Sequence, residues 1–536
     1  MRTKSPNVIL FMADQLRADH LGCYGNRIVR TPEIDGLAAR GTAFDRFYAT
    51  CPICMPNRIA MMTSRMPSLN GCRHNGIPLD RDAVTFVDLL AAGGYATALI
   101  GKSHLQNMAG NAVQPHIFDK DTEGRPPPAE LADASRRRLT GPDYDVELIP
   151  LWRADPRRQV PQPYYGFEHV RLANGHSDQV EGHYTQWLRD RHPQPDMLRG
   201  PAHALAENRR HGPQTWRTAM PEALYPTTYI EETAIVYLSE RASAKDDRPF
   251  FLWCSFPDPH HPFAPPGRYF DMYDPDTIPL PPSFGHVDPH EPELARRLRR
   301  ERERGQATTG SPKPFACSAD DVRQCTALTY GMISMIDASI GRILARLESL
   351  GAAENTVIIF TSDHGDFMGD HGLMLKHGLH YEGVIRVPFI WTDPCCGQTA
   401  DRTRLGASTI DIGPTILGRA NLAPQNGAQG FDLMKYWREG REPPRFGLLI
   451  EEDELGSHLG QEEGLRTRTF IRDAWRLTLW EGMEGGELFD RERDPHELRN
   501  LWFDPAYAQV KAELIEAMLR ETIRLSDTAP LAEHVA

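Results

Sequence analysis

From Asn7 to Ala13 the chain reads NVILFMA, and Asp14 and Gln15 follow at once. A run that is apolar at consecutive positions suits a strand covered on both faces, because alternate side chains point to opposite sides of a sheet. The arrangement recurs along the chain. ATALI, Ala96 to Ile100, runs into Lys102 and His104; PFFLWCSF empties into a histidine-proline loop carrying His260; NTVIIFTS ends at Asp363 and His364. Strands of this kind belong to an open α/β sheet, which binds ligands at its carboxyl edge. Several polar strand ends together predict one site assembled on that edge.

The remaining segments fit the same class. TPEIDGLAARG predicts a short helix with Thr31 as N-cap, Pro32 at the first position and Gly41 as its stop. Ile230 to Ala242 predicts another. The longest lies in VRQCTALTYGMISMIDASIGRILARLESLG, where Met332, Ile336, Ile340, Ile343 and Leu347 form a core-facing stripe. Residues 105–225 read as an irregular excursion rich in Pro, Arg, Asp and His, as active-site loops and surface segments do. After about Ala400, STIDIGPTILGRANL resumes the α/β pattern. RTRTFIRDAWRLTLWEG and GELFDRERDPHELRNL then predict a small antiparallel sheet, closed by a helix around Gln509 to Leu525. The expected organisation is an α/β sandwich with a large mixed central sheet. Residues 1–400 form the catalytic α/β domain, and 401–536 complete its core and add a smaller α+β subdomain.

Composition narrows the partners. The 536 residues carry a formal charge of −13, which leaves no basic excess for nonspecific nucleic-acid binding. A local cationic pocket for a small anion is compatible with that balance. No stretch approaches a membrane span, and the apolar stretch near the N-terminus is too short for a signal peptide. Nine cysteines without a dense framework suit a reducing compartment, so the expected location is cytoplasmic, with no membrane partner. The charged stretch from Glu291 to Glu303 reads equally as solvated surface or interface, which leaves a homo-oligomer open.

Asp14, Asp363 and His364, with Gln15 as a neutral oxygen donor, make a divalent metal site. Carboxylate and amide oxygens suit Ca2+, and the imidazole leaves Mn2+ or Zn2+ open. Alone, Asp14 reads as a capping residue and SDHGD as a polar loop; His104 reads as a structural histidine and Lys376 as a surface lysine. In CPICMPNR, Pro56 suits the first turn of a helix and Arg58 lies four residues after Cys54, on the same face. A group at position 54 meets free backbone N–H donors and a guanidinium, which favours an anion or a low-pKa cysteine nucleophile. A Cys51–Cys54 redox pair is the competing reading. The stretch YYGFEHVRLANGHSDQVEGHYTQW offers Arg171, His176 and His183 as contacts for an acidic or sugar-like substrate group.

CMPNR resembles the C-x-P-x-R signature of the formylglycine-dependent sulfatases of the alkaline phosphatase superfamily. NVILFMADQLRADHLGCYG, GYATALIGKSH, the P-H-x-P core of FLWCSFPDPHHPFAPP, and NTVIIFTSDHGDFMGDHGLMLKHGLHYEGVIRVPFI resemble that family as well. GELFDRERDPHELRNL is similar to its C-terminal signature. The resemblance implies an alkaline-phosphatase-like sandwich. It also implies conversion of Cys54 to formylglycine by a formylglycine-generating enzyme, followed by hydration to a diol. One metal-bound hydroxyl attacks sulfur, and the sulfated diol collapses to release sulfate. By motif, Asp14, Gln15, Asp363, His364 and the modified Cys54 bind one divalent ion, Ca2+ first and Mn2+ as the alternative. Arg58 steadies the diol, Lys102 and Lys376 contact sulfate oxygens, and His104 takes a proton from the free hydroxyl. His260 assists the leaving group, while His261 lines the pocket. The expected reaction is hydrolysis of a small anionic sulfate ester.

Some positions depart from the pattern. Asn57 stands where many sulfatases carry Ser or Ala, and Gln15 replaces a second acidic residue. Asn75 resembles the pocket asparagine of phosphonate monoester hydrolases, which share the DQ and DH pairs but lack the lysine and histidine of GKSH. Phosphonate monoester or phosphodiester hydrolysis is therefore the alternative.

Overall fold

The computed structural model describes residues 5–110, 128, 130, 131, 139–206, 211–244, 246–396, 400–454 and 464–534; parts of the 105–225 excursion lie outside these. Its main sheet has nine strands, numbered here in chain order: β1 (Asn7–Ala13), β2 (Thr42–Phe44), β3 (Ala96–Gly101), β4 (His169–Asn174), β5 (Glu181–Gly182), β6 (Phe250–Ser255), β7 (Thr356–Ser362), β8 (Phe389–Thr392) and β9 (Asp401–Thr403). They lie in the order β9-β2-β8-β7-β1-β6-β3-β4-β5. The run from β7 to β4 is parallel, whereas β8 pairs antiparallel with both β7 and β2. The sheet is therefore mixed.

Alternation along β1 builds two cores. Ile9, Phe11 and Ala13 face one cluster, shared with Ile230 and Ala234 of α2 (Pro226–Ser243) and Ile333, Ile336 and Ile340 of α3 (Ala319–Ser349). Val8, Leu10 and Met12 face the other, shared with Met55, Ile59 and Met62 of α1 (Cys54–Thr63) and with Ile412 and Ile416. Full burial contributes about 1.5–3 kcal/mol per large apolar side chain, so both faces hold β1 in place. The consecutive apolar positions have their physical reason here. α3 carries a complete capping box at Ser318 and Asp321 and ends before Gly351, which adopts φ +67°.

The second sheet is antiparallel, in the order β10 (Leu448–Glu454), β11 (Leu465–Arg472), β12 (Trp475–Trp480), β13 (Glu487–Asp490). α4 (Ala508–Arg524) covers it, with Leu514 and Ala517 against Phe470, Leu477 and Leu488. β10 also joins the large unit directly, since the Glu451 N–H donates to the Thr50 carbonyl at 2.9 Å. No helix among the described residues is long and apolar enough to cross a membrane.

Candidate active site

Four adjacent parallel strands, β7, β1, β6 and β3, end side by side. Their carboxyl ends deliver Asp363-His364, Asp14-Gln15, the His260-His261 loop, and Lys102 with His104. The β3 turn needs a glycine: Gly101 has φ +114°, and a Cβ there would lie 1.8 Å from the Ser255 carbonyl oxygen. This close approach lets the Lys102 N–H bond the same carbonyl at 2.9 Å and aims the lysine across the sheet edge.

α1 brings Cys54 to the group from outside the sheet. Pro56, at its third position, breaks no helical hydrogen bond, because the first N–H groups of a helix lack internal partners. Asn75 accepts from the Met55 N–H at 3.1 Å, beside the first turn of α1. Asn57 braces the turn, accepting from the Thr50 N–H at 3.0 Å and the Thr409 hydroxyl at 2.6 Å and donating to the Asp363 carbonyl.

The polar atoms converge around Cys54 Sγ. Sγ lies 3.0 Å from His364 Nε2, 3.3 Å from Lys376 Nζ and 3.7 Å from Asp14 Oδ1. Arg58 does not bond the sulfur; its guanidinium bridges Asp363 at 2.8 Å and Asp14 at 3.3 Å, and also donates to the Lys102 carbonyl and Ser255 hydroxyl. Lys102 Nζ pairs with Asp14 and lies 2.7 Å from His176 Nε2. The His176 ring stacks on His260 at 3.7 Å. Lys376 Nζ reaches Gln15 Oε1 at 3.0 Å, His364 Nε2 at 2.9 Å and His260 Nε2 at 3.2 Å. His261 meets the Gln15 amide at 3.2 Å.

Burial and charge set the protonation states. Burial works against the Asp14 carboxylate, but Lys102 and Arg58 hold it well below the usual range. The Cys54 thiol is pushed up rather than down: burial dominates and Asp14 adds to it, outweighing Lys376 and Lys102. This corrects the expectation of a low-pKa cysteine. Cys51 and Cys54 are both free thiols, not joined as a pair, and burial with Glu452 of β10 raises the Cys51 thiol too. Burial, with Lys102 next, lowers His104 well below the ordinary histidine value, and its Nδ1 has no hydrogen-bond partner among the described residues. His260 Nδ1 meets the His261 carbonyl at 2.5 Å, leaving Nε2 towards Lys376; burial, then His176, lowers its pKa.

The donor set fits a divalent cation. Asp14, Cys54, Asp363 and His364 place ligand atoms within 4.8 Å of one another, all buried. His364 Nδ1 lies 2.9 Å from the Gly365 carbonyl, which fixes the proton there and turns the Nε2 lone pair inward. Burial, then Lys376, lowers this histidine to about 4, so it is neutral as a ligand must be. Gln15 Oε1, His364 Nε2 and Cys54 Sγ already converge on one positive charge, the Lys376 ammonium.

Arg171 and His183 lie elsewhere. Arg171 sits within β4 and donates to the Val170 carbonyl; His183 accepts from the Leu172 N–H at 2.9 Å and packs against Trp152. Two supporting carboxylates escaped the sequence reading. Glu147 accepts from the N–H groups of His104, Leu105 and Gln106, so it holds the turn after Lys102. Asp366 pairs with the Gln15 amide and accepts from the Leu375 N–H at 3.0 Å. Glu147 lies in the excursion with no motif around it, whereas Asp366 closes the quoted SDHGD stretch.

This fold and site define a hydrolase of the sulfatase family, and the chain belongs to that family. The model described as Sulfatase matches residues 6–422, and one described as N-sulphoglucosamine sulphohydrolase, C-terminal, matches residues 369–524. An arylsulfatase of Clostridium perfringens is 27% identical over 532 residues, covering 96% of this chain and 94% of the relative. A phosphonate monoester hydrolase of Agrobacterium radiobacter superposes with a TM-score of 0.74 at 25% identity, covering 98% of each chain. A solved structure in complex with its substrate D-glucosamine-2-N,6-O-disulfate shares the fold, with a TM-score of 0.70 at 21% identity, covering 99% of this chain and 100% of that one. The chain is a hydrolase acting on sulfate esters.

Proposed function

We propose that the chain cleaves a small anionic sulfate ester to sulfate and an alcohol, with Cys54 converted to formylglycine. The observation that carries this is the buried junction at position 54, where two carboxylates, an imidazole and an ammonium meet a helix N-terminus. Formylglycine, made by a dedicated generating enzyme, would supply as its hydrate one hydroxyl for attack and a second whose deprotonation expels sulfate. A divalent cation, Ca2+ first and Mn2+ as the alternative, would be held by Asp14, Gln15, Asp363, His364 and residue 54, and would sharpen the nucleophile and offset sulfate charge.

The chain's own groups divide the remaining work. Arg58 fixes both carboxylates beneath residue 54. Lys102 and Lys376 present ammonium groups to the non-bridging oxygens, where charge is held in the transition state. Neutral His104, with Nδ1 unpartnered, accepts the proton that releases sulfate. His260 and Lys376 form a hydrogen-bonded pair that holds a proton for the departing oxygen; His176 and His261 flank that pair and line the pocket. The division into residues 1–400 and 401–536 belongs to the same reading. So does a cytoplasmic location, supported by the free thiols among the described residues.

Phosphonate monoester or phosphodiester hydrolysis is the second reading. It is favoured by Asn75 on the α1 N-terminus and by the DQ and DH donor pairs. Comparing kcat/KM for an aryl sulfate and an aryl phosphonate separates them: sulfate preference is expected, and a phosphonate preference of several powers of ten overturns the sulfate assignment.

A further inference from the structure

We propose that Glu452, on β10 of the small sheet, is a positioning residue that sets Lys376 against residue 54. The proposal rests on Lys376 acting at the sulfate. Lys376 lies in a backbone segment of unusual conformation: Leu375 has φ +70°, His377 φ +101° and Gly378 φ +74°. Left-handed conformations at leucine and histidine are unfavourable and persist only when surrounding contacts hold them. Here the small sheet does the holding. The Gly378 N–H donates to Glu452 Oε1 at 2.9 Å, and His380 Nε2 lies 2.8 Å from Glu452 Oε2. His377 Nδ1 lies 2.8 Å from Glu454 Oε1 and 3.5 Å from Glu452 Oε1. Trp480 of β12 donates to the Gly378 carbonyl at 2.8 Å, and Thr469 of β11 meets His380 Nδ1 at 2.9 Å.

Consecutive side chains thus go opposite ways, Lys376 into the site and His377 into the small sheet. Glu452 is 1% exposed, so its three contacts act without solvent competition. His377, Glu452 and Glu454 also have the composition of a cation cage, with ligand atoms within 4.8 Å. The hydrogen bonding favours a clamp instead, because N–H donors already take up both Glu452 oxygens. Burial disfavours a charged His377, but Glu454 and Glu452 raise it to about 9, in keeping with an ion pair to the two carboxylates.

A double-mutant cycle on the modified, metal-loaded protein tests the proposal with an aryl sulfate. Glu452→Gln is expected to lower kcat/KM about 10- to 100-fold, mainly through kcat, with metal content and residue-54 modification unchanged. In a Lys376→Ala background the same change is expected to cost about 2-fold or less, because the group it positions is gone. Equal factors in both backgrounds, or an unaltered kcat/KM in folded Glu452→Gln, overturn the proposal. Parental activity in Lys376→Ala instead overturns the underlying role of Lys376. If Glu452→Gln does not fold, Glu454→Gln is put through the same cycle and judged by the same criterion.

Discussion

Cys54 sits where burial and Asp14 act against a thiolate, and two ammonium groups only partly compensate. His260 has its Nδ1 on a carbonyl and its Nε2 beside an ammonium, an arrangement that suits the proposed role at the leaving oxygen. His260→Ala is expected to lower kcat/KM about 10²-fold or more for sulfate esters of alkyl alcohols and much less for activated aryl esters. Equal losses on both, read from a leaving-group series, would remove it from that role. At this scale the candidate site residues that follow a strand end were legible, because several apolar runs each ending in ionisable groups point to one shared sheet edge. His176 belongs with them, two residues beyond the end of β4. Arg171 was misplaced because it lies inside that strand, where side chains point to the sheet faces rather than its edge.

Among elements, β1, β3, β6, β7, α3 and α4 could be read from apolar runs and periodicity. β10 could not. Its sequence, LLIEEDE, ends in four consecutive acidic residues, yet all seven residues are buried. The reason is long-range neutralisation, with His377 and His380 on one side of the strand and Arg468 against Asp453. Such partners cannot be found from local spacing. The clamp has a pH signature. His377 rises from 6.5 to about 9 in the fold, facing Glu452 and Glu454 of β10, with His380 on the other Glu452 oxygen and Lys376 next to it in the chain. Protonated His377 therefore stabilises the fold fully below pH 6.5, and that contribution fades as pH rises through about 9. The melting temperature is expected to fall across this window, and Glu454→Gln to flatten the fall. Parallel profiles for parent and variant would contradict it.

For the whole molecule, the two sheets meet at the site. The large sheet supplies the strand-end donors, and the small one holds the loop that carries Lys376. A cation bound between buried donors stabilises only the folded chain. Chelation is therefore expected to lower the melting temperature and to reduce turnover by more than about 100-fold, with Ca2+ or Mn2+ restoring both. Unchanged melting and turnover after verified metal removal would argue against the donor assignment.

The nucleophile itself is tested most directly by the mass of the peptide containing residue 54, measured in preparations whose turnover is known. Formylglycine lies about 18 Da below cysteine. The expected result is that this mass loss appears at position 54 and that its fraction tracks specific activity across preparations. Full sulfate-ester turnover from protein whose residue 54 is entirely unmodified cysteine would contradict it.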